Sequence, residues 1–344
     1  MKKRMLALLL GLLCTGLTAC GSTDTAAKDE TPSAPSVEQP EPEPTPEEIR
    51  RTAAEQYADG LTLEEQIAQM FFVRCPETDA AALTAQYDIG GYLLFARDFD
   101  GQTKESVANT IAAYQNAAKT PMLIGVDEEG GTVVRVSSNP NLRGTKFQSP
   151  QALYSEGGFD RITSDTAEKD ALLRDLGINV NFAPVCDVST DPSDFIYARS
   201  FGMDAEQTGE YVRTVVTQMV SDKTGMVLKH FPGYGNNADT HTGIATDNRA
   251  YETFQQEDFL PSSPASTLGR AACWWPTTSS PGHRRERPAS LSPEWHRILR
   301  EELALPAASS PTTCPWAPSR TSATPAPPRS RRSCRQRPAM LHRL

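Results

Sequence analysis

Between about residues 48 and 260 the chain alternates two spacings of apolar residues. Short apolar runs at 71–74, 89–95, 122–126, 178–185 and 226–229 predict strands, and helix-length segments such as 104–118 and 205–221 separate them. Thr62 with Glu65 three residues later predicts a capping box, after which Leu63, Ile67 and Met70 share one face of a short helix. Strands that alternate with helices imply parallel βαβ units, and hence a doubly wound sheet or a (β/α)8 barrel. The strand ends decide between them. Arg74, Asp127-Glu128-Glu129, Asp187 and Lys229-His230 sit at the carboxyl ends of different runs, which converge on one face only in a barrel. No GxGxxG or Walker loop supports a nucleotide-binding sheet.

The two ends of the chain read differently. Lys2, Lys3 and Arg4 precede a short apolar run and then Leu17-Thr18-Ala19-Cys20. This is the layout of a secretory signal, too short to span a bilayer stably. A cysteine in that place resembles the bacterial lipoprotein signal, in which Cys20 carries lipid and anchors an extracytoplasmic protein to the membrane; each buried methylene contributes about 0.8 kcal/mol. Residues 21–46 hold six prolines between Pro32 and Pro46 and no aromatic residue, the composition of a disordered linker. The barrel is then expected over 47–303. Past residue 260 the composition breaks: all nine lysines lie at or before Lys229, whereas 14 of the 27 prolines and all four tryptophans come after 260. Residues 261–285 and 304–344 are accordingly expected to be irregular, with an apolar patch at Trp274-Trp275. About five credible strands would leave the barrel incomplete and its sheet open. A net charge of -9 argues against a nucleic-acid partner. Of the seven cysteines only Cys75 and Cys186 fall in the regular middle, so no disulfide framework follows.

Four segments carry a family resemblance. Ile124-Gly125-Val126-Asp127-Glu128-Glu129-Gly130-Gly131 with Arg135, then Asn181-Phe182-Ala183-Pro184-Val185-Cys186-Asp187-Val188, then Arg199-Ser200-Phe201-Gly202, then Lys229-His230-Phe231-Pro232-Gly233-Tyr234-Gly235 with Asp239-Thr240-His241 resemble, in order, the N-terminal barrel of glycoside hydrolase family three, in its bacterial β-N-acetylhexosaminidase branch. The resemblance implies a cofactor-free hydrolase that removes terminal β-linked N-acetylhexosamine from peptidoglycan or chitin fragments. It assigns Asp127, Arg135, Arg199, Lys229 and His230 to hydroxyl and N-acetyl contacts, for which forks and carboxylates suit vicinal hydroxyls. The alternative for Asp127 and Arg199 is a structural ion pair at a strand end.

Retaining glycosidases need a nucleophile and a group that first gives and then takes a proton. The resemblance gives the second role to His241, with Asp239 fixing its tautomer; an imidazole pKa of about 6.5 suits both directions of transfer near neutrality. Tyr234 stands where the branch often has a second histidine. The spacing of His230, Asp239 and His241 matches no compact zinc motif, and no strand-turn-helix serine supports an esterase. The nucleophile is unassigned, because the family places an aspartate after a helix like 291–303 and residues 304–344 contain no Asp or Glu. A frameshift would account for this: Pro311 through Ser319, back-translated and read from the third codon base, can give Asp-Asp-Leu-Ser-Met-Gly-Ala-Ile, and the same offset over 272–282 can give a sixth strand. Two other readings stand beside this one: a β-glucosidase of the same family and a non-catalytic lipoprotein that binds sugar.

Overall fold

The computed structural model describes residues 43–240, 245–262, 271–274, 278–279, 289–303 and 309–310. The leader, Cys20, the linker up to residue 42, His241, the tail from 311 and the side chains of Trp274 and Trp275 lie outside the described residues. All the elements below belong to the unit Pro46–Leu344.

Helix α1 (Pro46–Asp59) and α2 (Leu63–Gln69) lead into strand β1 (Phe72–Arg74). The order then runs α3 (Ala80–Tyr87), β2 (Gly91–Leu94), the single turn α4 (Ala96–Phe99), α5 (Lys104–Ala117), β3 (Leu123–Val126), α6 (Pro150–Asp175), β4 (Val180–Asn181), α7 (Ala205–Asp222) and β5 (Gly225–Lys229). Beyond these come β6 (Ala245–Thr246), α8 (Tyr251–Gln256), β7 (Ala271–Trp274), β8 (Thr278–Ser279), α9 (Pro293–Arg297) and β9 (Ser309–Ser310). The main sheet has the order β1-β2-β3-β4-β5-β7-β9, every neighbour parallel, with β6 and β8 paired separately. Within the main sheet the strands follow one another in chain order, the winding of a TIM-type barrel.

Two expectations are corrected. Residues 271–274 and 309–310 are not irregular: Met226 to Lys229 pair with Ala271 to Trp274, and Cys273 and Trp274 pair with Ser309 and Ser310. The reason lies in the backbone. The free edge of β5 presents N–H and C=O groups that any extended run can satisfy, whatever its composition. The sheet therefore has seven strands rather than about five, and among the described residues it still ends at β1 and β9. The helix expected over 291–303 is likewise broken into a 3-10 turn (Ala289–Leu291), α9 and a π turn (Ile298–Glu302). Pro293 cannot continue a helix from upstream, and Ser292 restarts it by accepting the Trp295 N–H.

The capping box forms as expected, with Thr62 and Glu65 bonded reciprocally at 2.9 and 3.3 Å. The apolar face behind it does not find a core. Leu63, Ile67 and Met70 are 67%, 47% and 60% exposed, and polar contacts hold α2 instead: Gln66 donates to the Ala58 carbonyl, Gln69 to the Asp88 carbonyl, and Lys119 pairs with Glu65.

Inside the barrel, Leu93, Val180, Phe182 and Val227 pack with Phe72, Phe95 and Leu123. The Phe72 and Phe182 rings lie 5.2 Å apart over Gly125, where a Cβ would meet them at 2.7 and 2.6 Å. That glycine gives the rings their space. A larger layer between α6, α7, α8 and α9 is built on Phe201, Tyr211, Phe231, Phe254, Phe259 and Trp295.

Candidate active site at the carboxyl ends of the strands

Three consecutive acids leave β3 and go three ways. Glu128 turns inward and is fully buried; its carboxylate accepts the backbone N–H groups of Arg135, Val136 and Ser137 and the Ser137 hydroxyl, which shapes the following loop. Asn181, at the end of β4, fixes the start of that loop by exchanging two 3.0 Å bonds with the Glu128 backbone. Glu129 points across the sheet. It accepts two bonds from Arg199, at 3.0 and 2.8 Å, and lies 2.5 Å from the Lys229 ammonium at the end of β5. Asp127 takes the other side of the same ammonium at 2.5 Å and stays 17% exposed, so it faces the opening.

Burial alone would raise the Glu129 carboxyl, but the Lys229 ammonium and the Arg199 guanidinium outweigh it and hold it at about 2. Such a group has no proton to give near neutrality. It fixes two cations in place.

A second pair forms one strand on. The segment after β4 continues alongside β5 through the Val185–Lys229 bridge, and Cys186 N–H donates to the Lys229 carbonyl. This places Asp187 under His230: Nδ1 lies 2.6 Å from one carboxylate oxygen, and the Tyr234 N–H donates to the other at 2.7 Å. Burial lowers the His230 pKa despite the Asp187 charge. The neutral ring is then assigned as donating Nδ1–H to Asp187, which leaves Nε2 as an acceptor.

Of the sequence-derived residues, the structure brings together Asp127, Arg199, Lys229 and His230. Arg135 takes part in none of these ion pairs; its guanidinium lies over the Phe95 ring at 5.8 Å. Asp239 is half-buried in the loop after β5, and His241 lies outside the described residues. Strand-end position marks Glu129 and Asp187 as acids of the mouth without giving either a part, because sequence does not say which acid of a run turns toward a cation. Tyr234 is buried, packs edge-on against His230 at 4.7 Å and bonds through its hydroxyl to Thr240 at 2.5 Å. It anchors the loop between Asp239 and His241.

That loop is also tied from outside. Arg249 grips Asp247 through Nε and Nη2, reaches Asp258 at 2.7 Å and donates to the Gly233 carbonyl at 3.4 Å. Gly233 has φ +131°, and a Cβ there would sit 1.9 Å from Asp258, so this corner requires glycine. Among the described residues no three His, Cys, Asp or Glu side chains converge as metal ligands.

Residues 62–305 match the family model described as Glycosyl hydrolase family 3 N terminal domain. The chain belongs to this family. Among its family 3 relatives, Beta-hexosaminidase A of Pseudoalteromonas piscicida is 31% identical over 243 residues, which are 65% of this chain and 41% of the relative. Beta-hexosaminidase LpqI of Mycobacterium tuberculosis is 29% identical over 291 residues, 83% of this chain and 72% of that one. A solved family 3 β-N-acetylglucosaminidase from Paenibacillus sp. superposes with a TM-score of 0.66 at 28% identity, covering 72% of this chain and 48% of its own. The chain thus spans less than half of two of these relatives.

Proposed function

We propose that the barrel mouth binds a terminal β-linked N-acetylhexosamine and that the lineage hydrolyses it with retention. The observation that carries this is the buried Asp127–Lys229–Glu129–Arg199 array beside the His230–Asp187 pair. Each member has its charge balanced by a neighbour, so donors and acceptors stand fixed before a sugar arrives. Asp127, with its partly exposed carboxylate, accepts from hydroxyls; Lys229 and Arg199, aimed by Glu129, donate; His230 Nε2 accepts. His241, oriented by Asp239, protonates the leaving oxygen and then deprotonates water. The nucleophile belongs after β9, where the strand Ser309–Ser310 runs straight into Pro311, the residue at which the offset frame reads Asp-Asp.

A second reading, a sugar-binding protein without turnover, is favoured by one observation: residues 304–344 contain no Asp or Glu. Binding separates the sugar classes for either reading. By calorimetric titration we expect this chain to bind N-acetylglucosamine at least about tenfold more tightly than glucose, the scale of one well-placed hydrogen-bonded group. Equal affinities would favour the glucosidase branch, and binding of neither would remove the subsite.

Anchoring is proposed through lipid on Cys20. Among the described residues no helix is long and apolar enough to cross a membrane, and the Leu17 to Cys20 pattern supports the lipid. The chain should enter the detergent phase on partitioning and Cys20→Ala should not; an unmodified chain in the aqueous phase would count against the anchor.

A further inference from the structure

The buried face of α6 carries three charged residues that the barrel mouth does not use: Asp165, Lys169 and Asp170. Lys169 is turned to the first acid, with its ammonium 3.1 Å from an Asp165 oxygen and 3.4 Å from the Glu129 carbonyl. Asp170 is left over. It is 1% exposed, and neither of its carboxylate oxygens receives a hydrogen bond.

What stands opposite Asp170 is a second acceptor. Helix α7 ends on Asp222, whose carboxylate faces Asp170 across the seam between the two helices and opposes its ionisation. Gln218 donates to one Asp222 oxygen at 2.7 Å, and Arg174 donates to the Asp222 backbone carbonyl. Thr224 lies beside the pair in the turn before β5, fully buried, and its hydroxyl closes no hydrogen bond. Burial first and the Asp222 charge second push the Asp170 carboxyl up to about 7, against a smaller pull from Lys169 and Thr224.

Two facing carboxylates repel when both are charged, and a buried acceptor without a donor is costly. A proton on one of them reverses both effects, because it removes a charge and turns an acceptor into a donor. We infer that Asp170 and Asp222 share one proton across the seam between α6 and α7, and that its loss loosens the seam. The ionised pair then needs donors from outside. A cavity of about 20 Å³ beside Asp170 has room for one water, and it reaches along α6 to Glu129 of the ion-pair array. The seam is thus a pH-sensitive fastening behind the barrel mouth, closed while the proton is held and hydrated once it is lost.

An acid with a raised folded-state pKa holds more protons folded than unfolded. Stability therefore falls as pH rises from the unfolded value of about 3.9 to the folded value of about 7, and stays level above it. Urea denaturation of this chain at pH 5 and pH 7.5 reads that fall. Burial also raises Asp258 to about 7 and adds a fall of its own, so the pair is read as a difference between chains. Asp170→Asn keeps the shape and puts an amide donor where the proton sits. Its folding constant should fall about a hundredfold less between the two pH values than that of the unaltered chain. Asp222→Asn removes the opposing charge and offers Asp170 a donor, and should shrink the fall about tenfold or more. At pH 7.5 amide exchange at the carboxyl ends of α6 and α7 should be slower in Asp170→Asn than in the unaltered chain. Equal falls, or equal exchange, in these two chains overturn the fastening. A fall that Asp222→Asn leaves unchanged means that burial alone holds the proton, and overturns the sharing even if Asp170→Asn does not fold.

Discussion

Replacing Glu129 by glutamine should cost this protein about 3–5 kcal/mol of stability, because it removes the carboxylate that a buried ammonium and a buried guanidinium share. Lys229 is 3% exposed and would keep Asp127 alone; Arg199 is 13% exposed and would lose both of its charge-assisted bonds. An amide presents one acceptor and two donors where the site needs acceptors on both oxygens. Urea denaturation should show the midpoint falling at unchanged slope, and N-acetylglucosamine binding should fall with it, since the donors lose their aim. Glu129→Gln combined with Arg199→Met should recover part of the loss. A single-variant cost below about 1 kcal/mol would mean that water reaches the pair and that the array is a surface feature.

The second large effect concerns turnover. Under the proposed frameshift, Pro311 to Ser319 read in the offset frame can yield an aspartate pair directly after Ser309–Ser310. The chain as it stands should hydrolyse a chromogenic N-acetylglucosaminide at least about 10⁴-fold more slowly than the version with that frame restored, the scale on which single-residue loss of a covalent catalyst acts. Within the restored chain, His241→Ala should cost about a hundredfold or more on a poor leaving group and less on an acidic one, which needs little protonation. Comparable rates from the two chains would place the nucleophile among residues 43–303 and end the frameshift reading.

What was legible in the sequence was what local rules decide. Strand-end position picks out Asp127, Asp187, Lys229 and His230 because side chains at the carboxyl ends of a barrel must converge, and the Thr62/Glu65 cap is written in two residues. The fates of Glu128 and Glu129 were not legible. Past Val126 the alternation of the strand ends, and which acid turns inward depends on donors contributed by Ser137 and Arg199, 9 and 70 residues away. The α2 face misleads for a similar reason: Leu63, Ile67 and Met70 have the spacing of a buried stripe, but burial requires a neighbour, and spacing does not name one. Composition likewise hid β7 and β9, since pairing at a sheet edge is a property of the backbone.

The clamp made by Arg249 has a consequence for how this enzyme family can vary. One side chain holds the entry to the loop at Gly233 and its exit at Asp247, so the two stems stay together whatever lies between them. With the stems joined, closure entropy rises only slowly with the number of residues enclosed. The stretch containing Asp239, Thr240 and His241 is therefore an exchangeable cassette. It can be lengthened, shortened or re-lettered while the barrel beneath it keeps its register, whereas a change at either stem would be felt by the whole mouth.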